Sequence, residues 1–64
     1  MFEIAPKKAK AIAMDDNLQW YWYEYKPVKK TDEGIWKARL GSFGILEPQP
    51  KPVKNWEESL MVKQ

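Results

Sequence analysis

The segment KKAKAIAMDDNLQWYWYEY, residues 7–25, decides the fold of this chain. Residues 7–14 alternate between small apolar and longer side chains, and residues 18–25 are dense in aromatic side chains, which favour β-strands. Between them, Asp15-Asp16-Asn17 is typical of a tight turn, because Asn17 tolerates a left-handed backbone conformation. The segment therefore predicts an antiparallel β-hairpin.

The register of this hairpin depends on the length of its loop. A loop of residues 15–17 pairs Met14 with Leu18. A shorter loop changes these neighbours, but Trp20 and Trp22 share one face of the second strand in either case. The opposite face then carries three tyrosines: Tyr21, Tyr23 and Tyr25.

Downstream of this hairpin the sequence predicts a second one. Residues 27–34 form a polar connection to it. Residues 35–40 and 43–47 then alternate as two strands around a turn at Gly41-Ser42, where glycine suits the first central position. The two hairpins together supply the strands of one antiparallel sheet.

The last part of the chain is predicted to lie over this sheet. Residues 48–52 carry alternating prolines, which cannot donate ladder hydrogen bonds and favour an extended strap. Asn55, with Glu58 three residues later, predicts the cap of a short helical turn. Trp56 and Leu60 are four residues apart, so they would dock this turn onto the sheet.

These features predict a single small domain of the mainly β class (small α+β). Its parts are a flexible arm over 1–6, a three- to four-stranded antiparallel sheet built from two hairpins over 7–47, and a Pro-rich strap with a short helical turn over 48–64. A chain of 64 residues buries a modest core, and without cysteine or histidine it lacks disulfides and an ordinary zinc site. Very good packing, self-association or a bound partner must therefore stabilise it.

The residue types that are missing argue against catalysis. Without histidine or cysteine, the usual general base and thiol nucleophile are absent. The aliphatic hydroxyls are those of Thr31, Ser42 and Ser59, and without histidine a Ser-His-Asp arrangement is excluded. Adjacent carboxylates such as Asp15-Asp16 are typical of solvated turns, and the glycines fit no phosphate-loop spacing. We expect a non-enzymatic protein with no metal and no cofactor.

The charge balance and the hydropathy limit the classes of partner that the chain is expected to bind. Lys and Arg number 11 against 9 Asp and Glu, a net charge of +2, which is too balanced for a dedicated nucleic-acid binder. No apolar run approaches the roughly 20 residues that span a bilayer. The opening Met1–Pro6 lacks the basic lead and the long apolar stretch of a secretion signal. We expect a soluble, intracellular protein without membrane contact.

The aromatic cluster is the strongest indication of a binding surface. Five of the nine aromatic residues lie between positions 20 and 25, and lysines surround them. Tyr and Trp dominate binding hot spots and can also stack on nucleobases. We therefore predict that a partner or ligand contacts Tyr21, Trp22, Tyr23, Tyr25, Lys26, Trp36, Lys37 and Arg39. The plainer interpretation assigns the tryptophans to the core and the lysines to a solvated surface.

Several residues also match a recurring pattern. The matches are Ile12-Ala13, Asp15, Trp20-Tyr21, Tyr23-Glu24, Lys26-Pro27, Trp36 and Trp56-x-x-Ser59-Leu60. Over residues 12–60 the chain thus resembles small phage and prophage proteins that read I-A-x-D-x-x-G-x-W-Y-x-Y-E-x-K-P and end in W-x-x-S-L. It departs from them in having Asn17 and Leu18 near the usual turn glycine, and in the additional Trp22 and Tyr25. The resemblance implies a phage origin and expression in a bacterial cytoplasm, and no particular activity.

Small phage proteins without catalytic residues commonly act by binding. We expect an accessory protein that binds and neutralises a bacterial host factor, either an antiviral-defence protein or its nucleotide signal. A nucleotide-sequestering protein would be an oligomer that buries the ligand between subunits. The alternatives are a single-stranded nucleic-acid-binding module, which the weak net charge disfavours, and a structural or assembly protein of the phage, for which self-association is expected.

Overall fold

A computed structural model describes residues 1–64 and confirms a mainly β fold. Its six strands are β1 (Ala11–Met14), β2 (Trp20–Tyr23), β3 (Val28–Lys30), β4 (Ile35–Lys37), β5 (Phe43–Ile45) and β6 (Met61–Val62). Four of them form an antiparallel sheet in the order β5-β2-β1-β6, and β3 pairs with β4 in a separate two-stranded sheet. The helical content is limited to three short 3-10 turns, at Phe2–Ile4, Thr31–Glu33 and Trp56–Glu58.

The first hairpin forms as predicted, but with a longer loop. Met14 pairs with Trp20 rather than with Leu18, so residues 15–19 form the loop and the register is shifted by two residues. A shift by two leaves every side chain on its predicted face. Leu18, and not Asn17, adopts the left-handed conformation, with φ of 72°. Asn17 instead accepts a hydrogen bond from the Gln19 amide through its side chain, at 3.0 Å.

The second hairpin differs from the prediction. β4 pairs with β3, a strand that lies within the segment predicted to be a polar connection. β5 pairs with β2 instead of with β4. The β3–β4 turn closes at Gly34, whose left-handed φ of 71° follows the 3-10 turn. The Asp16 amide donates to the Gly34 carbonyl at 2.9 Å, which ties this turn to the loop of the first hairpin. The hairpin is thereby held over the sheet, and β5 is free to reach the far side of β2.

The two ends of the chain both pack onto the sheet. The segment predicted as a flexible arm instead forms a 3-10 turn, and its Phe2 and Ile4 pack against the core. Asn55 caps the C-terminal turn as predicted, because its side chain accepts a hydrogen bond from the Glu57 amide at 3.0 Å. Beyond Ser59 the chain is not helical: Met61–Val62 is a strand that pairs with β1.

The core has two layers, one on each face of the sheet. On the tryptophan face it consists of Ile12, Met14, Trp20 and Leu46. On the tyrosine face it consists of Ala11, Ala13, Tyr23 and Trp36, the last contributed by the β3–β4 hairpin. Small alanines on this face let the hairpin approach the sheet closely.

Two side chains complete the hydrogen bonding of the central strands where their neighbours end. The buried Ser59 hydroxyl accepts from the Met14 amide at 2.8 Å and lies 3.1 Å from the Met14 carbonyl, at the position that would continue the β1–β6 register. The Gln49 side-chain amide accepts from the Trp20 amide at 2.6 Å and donates to the Trp20 carbonyl at 2.9 Å. The Trp20 indole donates to the Lys51 carbonyl at 3.2 Å. The Pro-rich strap therefore closes the tryptophan face.

Candidate functional site

The predicted aromatic residues divide between the core and the surface. Tyr23 is buried, and its hydroxyl donates to the Trp36 carbonyl at 3.2 Å. Burial raises the pKa of the Tyr23 hydroxyl. The buried Trp36 donates through its indole to the Trp56 carbonyl at 3.1 Å. We therefore assign Tyr23 and Trp36 to the core, whereas Tyr21 and Trp22 are half-buried and Tyr25 is exposed.

Lysines lie over three of the rings that were candidates for ligand stacking. Lys8 Nζ is 5.8 Å from the centroid of Trp22, and Lys10 Nζ is 5.4 Å from that of Tyr25. Lys29 Nζ lies 6.0 Å from the Trp36 ring. These distances are typical of cation–π interactions, so each of the three rings already has a lysine ammonium group of the same chain beside it. The remaining predicted cations, Lys26, Lys37 and Arg39, are exposed.

The largest exposed aromatic surface lies instead at strand β5. Phe43 is 57% exposed and Ile45 is 45% exposed, although both belong to a strand. Cross-strand pairing places Phe43 beside Tyr23, with ring centroids 6.1 Å apart and planes inclined by 16°, and Ile45 beside Tyr21. We call Tyr21, Phe43 and Ile45 the β5 patch. It forms the outer part of the tyrosine face, beyond the β3–β4 hairpin.

The backbone of β5 is also open on its outer side. The Glu24 amide donates to the Ser42 carbonyl at 2.9 Å, and the Leu46 amide donates to the Trp20 carbonyl at 3.1 Å. In an antiparallel ladder such hydrogen-bonded positions alternate with positions whose backbone groups point away from the partner strand. The N–H and C=O groups of Phe43 and Ile45 therefore point outward, along the free edge of the sheet.

Strand β5 contains neither lysine nor proline, two residue types that commonly block a sheet edge. Residues 43–45 read Phe-Gly-Ile, and β5 has β2 as its single strand neighbour. The opposite edge is shorter, because β6 comprises Met61–Val62 and is followed directly by Lys63. Of the two edges of the four-stranded sheet, β5 is thus the better suited to accept another strand.

Gly44 leaves room for the Trp22 indole on the tryptophan face of β5. A Cβ atom at Gly44 would lie 2.8 Å from the Trp22 indole nitrogen, so the indole covers the strand at this point. A side chain at position 44 would displace that ring. The edge is consequently flat and narrow at its centre, with Trp22 on one face and the β5 patch on the other.

Charged side chains border β5 at its two ends. Glu24 accepts hydrogen bonds from the Ser42 amide and hydroxyl, both at 3.0 Å, which fixes the start of the strand and lowers the pKa of the Glu24 carboxyl. Arg39 lies in the segment before β5, and Glu47 follows the strand by two residues. Both Arg39 and Glu47 are exposed. The start of β5 therefore carries the Glu24 carboxylate, with Arg39 four residues upstream, and Glu47 follows its end.

One groove lies elsewhere, between the strap and the C-terminal turn. It has a volume of about 730 Å³, and its lining includes Trp20, Val53, Lys54, Glu58 and Met61. Its single lysine is accompanied by a glutamate, so it does not concentrate positive charge. The buried Asp15 carboxylate accepts a hydrogen bond from the Trp36 amide at 2.8 Å, which ties β4 to the loop of the first hairpin. Burial raises the pKa of the Asp15 carboxyl.

The residues of β5 were not among the predicted contacts. The sequence indicated a fourth strand at 43–47 but placed it in a hairpin with residues 35–40. Which strand lies at an edge depends on pairing between distant segments, and this was not visible in the local pattern. The signal that could have identified the site is the run Phe-Gly-Ile itself, a strand-forming segment without any charged residue.

Comparison with known proteins adds no relative to this description: no protein-family model, no curated protein and no solved structure matches the chain. The likeness to phage proteins therefore rests on the sequence motifs. The structure contains no helix that is both long and apolar enough to cross a membrane.

Proposed function

We propose that this chain is a non-enzymatic phage accessory protein that binds and neutralises a bacterial host protein through β5. The observation that carries the proposal is the open edge: the outward backbone groups of Phe43 and Ile45 coincide with two exposed apolar side chains that share one face of the sheet. Exposed strands of this kind accept a further strand, with backbone hydrogen bonds providing affinity and alternate side chains providing specificity. The phage motifs support a bacterial host as the source of the partner.

A protein partner fits the geometry better than a nucleotide signal. A nucleotide site needs rings that are free to stack and cations that converge on phosphates. Here Lys8 and Lys10 lie over Trp22 and Tyr25, and Trp36 is buried. The groove beside the strap pairs its one lysine with a glutamate. The same contacts argue against a single-stranded nucleic acid, which uses stacking platforms along a basic channel.

The role of the partner follows from the resemblance to phage proteins. A small protein that a phage makes in a bacterial cell, and that acts by binding, serves the phage when its target opposes infection. We therefore propose an antiviral-defence protein of the host as the target. The part of this target that β5 would recognise is a strand or extended segment with alternating apolar side chains, which would cover Phe43 and Ile45.

The test compares two pairs of surface substitutions. The chain is immobilised, host lysate is passed over it, and captured proteins are identified and then purified for a measurement of the dissociation constant. Phe43→Thr/Ile45→Thr removes the apolar side chains of β5 and keeps strand propensity. Met61→Thr/Val62→Thr is the matched control, because Met61 and Val62 are 38% and 50% exposed on the opposite edge. Since each lost apolar contact contributes about 1–2 kcal/mol at a buried interface, we expect binding weaker by roughly 30-fold or more for the β5 variant.

The same experiment contains the outcomes that contradict the proposal. Equal affinity of both double variants for the captured protein would remove β5 as the contact surface. Calorimetry against a panel of signalling nucleotides provides an independent arm: tight nucleotide binding would replace the protein target by a small ligand. Expression of the chain in a bacterium that carries the captured defence protein must also restore phage plaques, and failure to do so would remove neutralisation as the role.

A further inference from the structure

We infer that, in the absence of the host protein, a second copy of this chain occupies the β5 edge and forms a two-fold dimer with one continuous eight-stranded sheet. The inference goes beyond the proposed function: the second copy pairs with the same outward backbone groups as the host strand, so the two compete for β5. The dimer itself follows from features of β5, namely its backbone pattern, its central glycine, its exposed side chains and its flanking charges.

The backbone pattern of β5 is complementary to itself. When two copies of the strand run antiparallel about an axis through Gly44, Phe43 of one copy lies opposite Ile45 of the other. These are the two residues whose N–H and C=O groups point outward. Each Phe43–Ile45 pair then exchanges two hydrogen bonds, so both outward groups of both residues are satisfied in each copy.

The centre of this pairing requires a small residue, and Gly44 provides it. The two copies of Gly44 would face each other as a non-hydrogen-bonded pair, the position where Cα atoms approach to about 4.5 Å. On the tryptophan face, the indole of Trp22 already lies over Gly44. The two indoles would meet above the axis and cover the central pair without steric conflict from a side chain.

The exposed side chains and the charges also match across the axis. On the tyrosine face, Phe43 of each copy would pack against Ile45 of the other, which removes from water the side chains that are 57% and 45% exposed in a single copy. An antiparallel arrangement brings the segment before β5 of one copy, with Arg39, towards the segment after β5 of the other, with Glu47. A foreign strand need not have this polarity, whereas a second copy always has it.

The dimer has a consequence for binding. A two-fold axis perpendicular to the sheet keeps both tyrosine faces on the same side. Each face carries its β3–β4 hairpin over β1, where Trp36 packs against Ala11 and Ala13. The two hairpins would therefore form the walls of a shared groove, and the two β5 patches would form its floor. A host strand would have to displace the second copy to reach the backbone of β5, so dimerisation would lower the apparent affinity for the host protein.

The mass of the protein in solution tests the dimer directly. In sedimentation velocity at increasing concentration, we expect the mass to rise from the 7.6 kDa of one chain to twice that value. Ile45→Pro removes the outward N–H of β5 and leaves its bonds to β2 in place, because that N–H does not point towards β2. Two of the four intercopy hydrogen bonds would be lost, which should raise the dimer dissociation constant about tenfold or more. Circular dichroism verifies that this variant retains its fold.

Cysteine cross-linking tests the register without depending on that variant. The chain has no cysteine of its own, so Phe43→Cys and Ile45→Cys proteins can be mixed and oxidised. Opposed residues of a hydrogen-bonded pair have Cα atoms about 5.5 Å apart, within the range of a disulfide. We expect the mixed 43–45 cross-link to form in preference to either homodimer, and we expect Val62→Cys, on the opposite edge, to cross-link slowly.

The outcomes separate this inference from the proposed function. A mass of one chain up to millimolar concentration, or a mixed cross-link at no more than the statistical twofold excess over either homodimer, would overturn the dimer and leave capture of the host protein unaffected. A dimer with the expected cross-link that captures no host protein would overturn the proposed function and leave the dimer in place. Capture that weakens with Ile45→Pro in parallel with dimerisation supports both.

Discussion

The central strands β1 and β2 contrast with the outer strand β5 in how their backbone and side chains are covered. In the central pair, Ile12 and Trp20 are fully buried, and side chains complete the hydrogen bonds where the neighbouring strands end. In β5, Phe43 and Ile45 are exposed and their outward backbone groups meet no other strand. Both regions belong to the same sheet, and both are rich in aromatic and aliphatic residues.

This difference separates residues that are required for folding from residues that are free to serve a partner. The fold places Ser59 and Gln49 where a backbone group would otherwise remain unpaired, and an unpaired buried group lowers stability. No comparable closure exists on the outer side of β5. The aromatic residues Trp20 and Tyr23 of strand β2 therefore belong to the core, whereas about half of the surface of Phe43 and Ile45 in β5 remains uncovered in a single copy.

Among losses of a single hydrogen-bonding group, the largest effect is expected where the central pair is closed by the C-terminal segment. Ser59→Ala removes the hydroxyl that accepts from the Met14 amide and that also contacts the Trp56 carbonyl at 2.7 Å. The Met14 amide is left buried and unpaired, so we expect a loss of about 2–3 kcal/mol in the free energy of unfolding. Urea denaturation measures this loss, provided that the dependence of the free energy of unfolding on urea concentration has the same slope in both proteins.

Ser42→Ala is the matched control for this substitution. Its hydroxyl bonds to Glu24 at a half-buried position near the surface, where water can replace the lost bond. We expect a change below about 0.5 kcal/mol. If both substitutions lowered the free energy of unfolding equally, the hydrogen bond between Ser59 and the Met14 amide would stabilise the chain no more than a surface hydrogen bond does.

A smaller effect, of opposite sign, is expected in the loop that joins the central strands. Leu18 is held at φ of 72°, a conformation that is unfavourable for a residue with a Cβ atom, and its side chain is 52% exposed. Leu18→Gly should therefore raise the free energy of unfolding by about 1 kcal/mol. Asn17→Gly is the control: it removes the side-chain bond to the Gln19 amide and should lower stability, as measured by thermal unfolding.

The part of the fold that could be predicted is the part that depends on neighbouring residues. Alternation over residues 7–25 identified the first hairpin and the faces of Trp20 and Tyr23, because side chains alternate in any strand. The cap at Asn55 followed from the same kind of local rule. The loop length did not, since the left-handed position of the loop is occupied by Leu18, a residue type that rarely adopts it.

What could not be predicted depends on contacts between distant segments. Local alternation does not tell whether β5 pairs with β4 or with β2, since both arrangements use the same side-chain pattern. Pairing with β2 places Leu46 in the core and leaves Phe43 and Ile45 at the edge. For the same reason the candidate site in the structure is β5 and not the tyrosines predicted from the sequence. The exposure of a side chain depends on the assembled sheet, not on the aromatic content of one strand.

The smallest effect is expected at β5, and it provides the most direct test of the contrast. Ile45→Thr exchanges an exposed side chain for another β-branched one, so we expect the free energy of unfolding to change by no more than about 0.5 kcal/mol. Ile12→Thr makes the same chemical change at a fully buried position, where the lost packing and the buried hydroxyl should lower stability by about 3 kcal/mol. Both are measured at micromolar concentration, because self-association at higher concentration adds to apparent stability. If Ile45→Thr destabilised the chain as strongly as Ile12→Thr, Ile45 would belong to the core, and its exposure would no longer indicate a partner.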